Sequence, residues 1–128
     1  MNFTVNDQNS VTFKGMNTKK ANVTIPDTII SQGKKLKVTM IAEGAFEKNT
    51  SIKNVTLGKN VKQIGKKAFR NCKKLKKVNY PSNLQQLGAQ SFENCTGLQQ
   101  VSLPDSVKTI GKKAFKNCKK LKKFTVFF

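Results

Sequence analysis

The sequence predicts an α/β repeat fold, a solenoid of 23-residue units closed at its N-terminal end by a β-hairpin. Three observations carry this expectation. Phe46, Phe69, Phe92 and Phe115 stand 23 residues apart. Cys72, Cys95 and Cys118 keep that step, as do Gly65, Gly88 and Gly111. The apolar columns Ile52, Leu75, Leu98, Leu121 and Val55, Val78, Val101, Phe124 keep it too. Self-similarity at a fixed step of this size marks a stacked array, in which each unit buries its apolar face only against its neighbours.

Taken in order, residues 1–22 stand outside the repeat. Phe3 and Val5, then Val11 and Phe13, alternate with polar residues around the NDQNS stretch, which predicts a β-hairpin capping the solenoid. Val23–Thr28 (VTIPDT) matches Val101–Ser106 (VSLPDS) and reads as the strand of a degenerate zeroth repeat, so that residues 1–37 form an N-terminal cap. Positions 23 and 101 are 78 residues apart, three periods plus nine; the nine fit Ile29–Lys37, where Gly33 marks a turn.

From Val38 four units follow, 38–60, 61–83, 84–106 and 107–128. Each opens on a short extended V-x-x-I piece or its Leu equivalent. A compact A-F-x-x-C segment comes next, long enough for one or two helical turns. The unit closes on L-x-x-V-x-L-P, whose alternation predicts a β-strand stopped by Pro81 or Pro104, with Gly58 in their place in the first unit. The Phe column, preceded by Ala45, Ala68, Ser91 and Ala114, is expected to be core.

The recurring pattern I-G-x-x-A-F-x-x-C-x-x-L-x-x-V-x-L-P-x-S-V, spread over about residues 23–128, resembles the BspA-like (Treponema-type) leucine-rich repeat. The resemblance implies a right-handed leucine-rich-repeat solenoid with parallel β-strands on one face and short helical turns opposite. It also implies a secreted or cell-surface protein, often a bacterial adhesin that binds host matrix proteins or other cells. The first unit departs from the pattern, with Ala42 at the Gly position and Asn49 at the Cys position.

Catalytic chemistry finds little support. The chain has no His, and its acids, Asp7, Asp27, Glu43, Glu47, Glu93 and Asp105, are scattered. Neither a nucleophile-elbow Ser nor a phosphate-cradling loop is present. A non-enzymatic protein without cofactor is expected. Zinc would want C-x-x-C pairs or His, so the three Cys read as buried free thiols behaving as small hydrophobes rather than as ligands or disulfide partners. No segment approaches a membrane span, and the first residues lack the basic and apolar regions of a signal peptide. By composition an intracellular protein, and one whose signal has been removed, both fit; the resemblance implies the extracellular or cell-surface placement.

Charge is the informative anomaly. With 25 Lys and Arg against 6 acids, the formal net charge is +19. It is written unevenly: +4 over residues 1–37, +1 over 38–60, +8 over 61–83, −2 over 84–106 and +8 over 107–128. Lysines stacked on adjacent rungs would repel across about 5 Å, whereas skipping a rung separates them by about 10 Å, near the Debye length at 0.1 M salt. Two readings stay open: alternation that makes a highly charged solenoid tolerable, or a polyanion-binding surface.

The candidate ligand-binding face consists of the outward strand positions Asn54 and Thr56, Lys76, Lys77 and Asn79, Gln100 and Ser102, and Lys122, Lys123 and Thr125. The expected partner is an extracellular protein or acidic glycan, recognised by an adhesion or binding module. Nucleic acid or another polyanion is the alternative, supported by charge but lacking interleaved surface aromatics. A structural spacer within a longer surface protein is a third. Phe124–Phe128 (FTVFF), ending the last unit, predicts either further repeats downstream in a longer parent or end-to-end self-association through an uncapped edge.

Overall fold

In the computed structural model, which describes residues 1–126, the chain winds into a β-solenoid whose coils stack through two parallel ladders. The first ladder runs through β2 (Ser10–Gly15), β5 (Lys34–Ile41), β7 (Gln63–Ile64), β9 (Gln86–Leu87) and β11 (Thr109–Ile110). The second runs through β3 (Asn22–Thr24), β6 (Asn54–Thr56) and β8 (Lys77–Val78), and β8 lies beside β10 (Gln100–Leu103), which pairs with β12 (Lys123–Val126). Register is fixed by identity: Ile41 faces Ile64, Ile64 faces Leu87, Val55 faces Val78 and Val101 faces Phe124. A one-residue slip would turn each inward apolar side chain out to water.

Two antiparallel pieces dress the N-terminal side. β1 (Asn2–Val5) pairs with β2 as a hairpin whose turn is pinned by Asp7, its carboxylate accepting hydrogen bonds from the Asn9 and Ser10 N–H groups and the Ser10 hydroxyl. β4 (Thr28–Ser31) pairs with the start of β5 through a two-residue turn. Gln32 and Gly33 in that turn have φ of 51° and 76°, the two left-handed positions that a type I′ hairpin requires.

The expected helical turns opposite the strands are not there: no helix occurs among the described residues, and the A-F-x-x-C segments are successive tight turns. The backbone shows why. Two positions four residues apart in every coil are left-handed: Gly44 and Lys48, Lys67 and Asn71, Gln90 and Asn94, Lys113 and Asn117. Such residues break a right-handed helical run. The N–H groups are also divided between two uses. In the second coil those of Ala68, Arg70 and Cys72 bond three residues back, to Gly65, Lys67 and Phe69. Those between them, of Lys67, Phe69 and Asn71, bond to Ala89, Ser91 and Glu93 of the next coil. An i→i−4 ladder would forfeit every second bond, so inter-coil bonding displaces the helix.

Buried columns fill the interior. Phe46, Phe69 and Phe92, all buried, and Phe115, half-buried in the last coil, stack in sequence with ring centroids 5.2, 5.0 and 5.3 Å apart, close to the spacing of neighbouring strands. Phe13 extends the stack by one ring, 5.4 Å from Phe46. The glycine column is dictated by the same close approach: a Cβ on Gly88 would lie 2.4 Å from the Lys66 nitrogen and one on Gly111 2.3 Å from that of Ala89. At the far end Phe124 is 46% exposed and packs edge-on against Phe115 at 5.3 Å. Phe127 and Phe128, named above in the expected self-association, lie outside the described residues.

Candidate functional site

The second ladder gathers the expected face residues. Register aligns Asn22, Asn54 and Lys77 in one column, which Gln100 and Lys123 continue on β10 and β12. A parallel column holds Thr24 and Thr56, then Asn79, Ser102 and Thr125. Lys76 and Lys122 stand at the strand entries, their backbone N–H groups donating to the Lys53 and Gln99 carbonyls at 2.8 Å. All of these side chains are exposed except Thr125, which is half-buried. A shallow depression of about 390 Å³ lies over Asn22, Thr24, Asn54, Thr56, Lys77 and Asn79.

Two members of this face are already occupied. The Asn79 amide accepts from the Leu57 N–H at 2.6 Å and donates to its carbonyl at 3.1 Å, replacing a strand's backbone pair. Asn54 donates to the Asn22 side chain at 2.8 Å. The lysines have no such engagement. Among the described residues both ion pairs belong to Arg70, which donates to Glu93 at 2.9 Å and Glu47 at 3.2 Å.

Arg70 is part of a column that sequence reasoning missed. Glu47, Arg70, Glu93 and Lys116 occupy one position of successive coils, so charge alternates in sign up the arc. The Gln90 amide, 2.8 Å away, together with Arg70 holds the Glu93 carboxyl below its usual range, and Lys116 adds to this. The signal was present in the 23-residue step from 47 to 70 to 93 to 116. A second such column lies beside it, where Asn117 donates to Asn94 at 2.9 Å and Asn94 to Asn71 at 2.8 Å. These asparagines occupy the left-handed positions that Asn tolerates better than most residues.

The cysteines are free thiols, Cys72 and Cys95 buried as expected and Cys118, in the last coil with no coil stacked beyond it among the described residues, half-buried. Each donates to the carbonyl of the Phe one coil earlier, Cys72 to Phe46 at 3.0 Å, Cys95 to Phe69 at 3.1 Å and Cys118 to Phe92 at 3.2 Å. Burial pushes the Cys72 thiol up to about 12 and Cys118 to about 11, and Cys95 higher still. Asn49, in the same column, caps its own turn: its side-chain oxygen accepts from the Ser51 and Ile52 N–H groups. No cluster of three or more potential metal-ligating side chains occurs among the described residues.

Comparison with known proteins sets this architecture in a family. No curated protein sequence matches the chain significantly. Among solved structures, a leucine-rich repeat protein from Bacteroides capillosus is similar with 25% identity and a TM-score of 0.88, over 98% of this chain and 93% of that one. The leucine rich repeat protein of T. pallidum shares 26% identity at a TM-score of 0.77, over 96% of this chain and 67% of that one. A leucine rich cell surface protein from Faecalibacterium prausnitzii has 24% identity and a TM-score of 0.77; the match covers 98% of this chain but 40% of that protein. The profile of the BspA type leucine rich repeat region matches residues 8–127 in six copies. The chain therefore belongs to the BspA-type leucine-rich repeat family.

Proposed function

We propose that this chain is a non-catalytic binding module of a surface-displayed protein, recognising an extracellular protein or acidic glycan through the exposed face of its second ladder. The observation that carries the reading is the row of side chains in register on that face. Polar and cationic groups repeat at strand spacing over β3, β6, β8, β10 and β12, and the lysines among them have no carboxylate partner among the described residues. Repeat surfaces of this kind offer an extended platform rather than a pocket, and binding by many weak contacts suits them. A structural neighbour is itself a cell surface protein, and we extend that placement to this chain as part of the same proposal.

The nucleic-acid reading rests on net charge alone. The exposed large hydrophobics among the described residues are Met1, Val5, Ile30, Ile110 and Phe124, which form no row of rings on which unpaired bases could stack. The test is a binding screen of the folded chain against extracellular matrix proteins, sulfated glycans and DNA at low and physiological salt. Retained binding to a matrix protein or glycan at physiological salt is expected. Binding to DNA alone, or to nothing, overturns the reading.

A further inference from the structure

The lysines of the second ladder are not spread evenly along its edge. In the coil of residues 61–83, Lys73, Lys74, Lys76 and Lys77 follow one another through the corner into β8, all exposed. Two coils on, Lys119, Lys120, Lys122 and Lys123 repeat that row into β12, again exposed. Between them the coil of residues 84–106 presents Thr96, Gly97, Gln99 and Gln100 at the corresponding positions. Thr96 and Gly97 are half-buried. Gly97 has no room for a side chain, since a Cβ there would lie 2.8 Å from the Lys73 carbonyl oxygen. The middle coil is therefore a neutral, low floor between two cationic walls, whose backbones stand about 10 Å apart at two strand spacings.

The walls keep their charge because no lysine of either row pairs with a carboxylate among the described residues, and four of the six acids are engaged elsewhere. Glu47 and Glu93 hold Arg70 on the arc. Asp7 pins the first hairpin turn, and Asp27 accepts from the Lys59 N–H at 2.8 Å. The middle coil holds two acids: Glu93 points into the Arg70 pair and not onto the strip, and Asp105, exposed in the turn that follows β10, forms no ion pair with these lysines among the described residues.

Resting on the proposed binding function, we infer that this strip is a track for a single linear sulfated glycan chain, which lies along the middle coil with its sulfates and carboxylates paired to lysines on both sides. A gap of about 10 Å between backbones accepts one unpaired polysaccharide chain. A nucleic-acid duplex is broader than the gap and would touch only the tips of the two rows. The strip also carries no helix or ribbon that could enter a groove, and the exposed ring at its end, Phe124, packs edge-on against Phe115 and forms no row on which successive bases could stack. The flexible lysine stems and the hydrogen-bonding floor of Thr96, Gln99 and Gln100 suit a ligand whose charges are irregular and whose backbone is rich in hydroxyls.

The experiment compares two variants of the full chain against a size-defined heparin oligosaccharide, with the affinity followed over a salt series. In the first, Lys76, Lys77, Lys122 and Lys123 are replaced by Gln. In the second, Lys66, Lys67, Lys112 and Lys113, which lie on the arc, are replaced by Gln, so that both lose the same charge. The track variant is expected to bind more than about tenfold more weakly at physiological salt. Its salt slope should be shallower by about three, as loss of four counterion-releasing contacts requires. The arc variant should stay within about threefold of the parent. Equal losses in both variants would reduce the effect to net charge and overturn the track, as would displacement of the oligosaccharide by duplex DNA at equal charge concentration. A parent chain that binds a matrix protein but no oligosaccharide also overturns it while leaving the binding-module reading in place.

Discussion

The coils of residues 61–83 and 84–106 share an interior and differ in nearly everything else. Ile64 and Leu87, Phe69 and Phe92, Cys72 and Cys95, Leu75 and Leu98, Val78 and Val101 are all buried in matched places. Outside, the first coil carries +8 and the second −2. Even the strained backbone positions agree, Lys67 at φ 58° and Gln90 at 59°, although one is a cation and the other an amide. The comparison teaches that inward columns, glycine approaches and inter-coil backbone bonds specify the coil, and that the outward positions are left free to vary in charge.

The largest break in this likeness should come from the Phe stack. Phe92→Ala removes the ring between Phe69 and Phe115 and is expected to cost about 3–5 kcal/mol, read as a lowered midpoint in urea unfolding. Because each coil leans on its neighbours, the loss should spread beyond one unit; an unchanged midpoint would show that Phe92 is not core. Gly88→Ala comes next, with about 1–3 kcal/mol for forcing a methyl against the Lys66 backbone. Asn79→Ala should cost about 1–3 kcal/mol by leaving the Leu57 N–H and carbonyl without their partner. The same change at the exposed Gln100 should be near neutral, which sharpens the distinction between an engaged and an unengaged residue of one face.

The thiols give the smallest effect and a signed pH dependence. Their folded pKa values lie above the ordinary thiol range because burial disfavours the thiolate. The stability they lend is therefore present in full below about pH 8.5 and is lost as pH rises toward about 12. Cys72→Ala should flatten that alkaline decline slightly, and labelling of the buried Cys72 and Cys95 should be slow without denaturant. Rapid labelling at neutral pH would contradict their burial.

Much of this was legible in the sequence because a repeat writes each inward position several times. The Phe, Cys, Gly and Leu columns announced the coil and its pitch. Helical turns were expected from the length of A-F-x-x-C and from the family resemblance, yet their absence depends on where each N–H bonds, and the partner coil lies 23 residues away. Phe13 escaped for another reason. It pairs in register with Ile41, so it holds the strand column and not the Phe column, and only its ring reaches Phe46. On the face, the positions of Lys76, Lys77, Lys122 and Lys123 followed from phase, whereas the engagement of Asn79 with Leu57 did not, since Thr56, Ser102 and Thr125 hold that place in the other coils. The Tyr80 hydroxyl, buried without a protein partner in a column where Leu57 and Leu103 stand, is a further feature that periodicity does not explain.

The claim that inward columns carry stability while outward columns carry recognition meets its most direct test in a surface exchange. Lys62→Gln, Lys66→Ala, Lys67→Gln, Lys73→Thr, Lys76→Gln and Lys77→Gln together give the coil of residues 61–83 most of the outward chemistry of the coil that follows it, with Arg70, Lys74 and every buried residue kept. The urea midpoint of this variant is the measurement. A midpoint equal to the parent's, or higher as charge repulsion falls, is the predicted result. A fall as large as that of Phe92→Ala would contradict the account, because it would place the stability of the coil in the lysines.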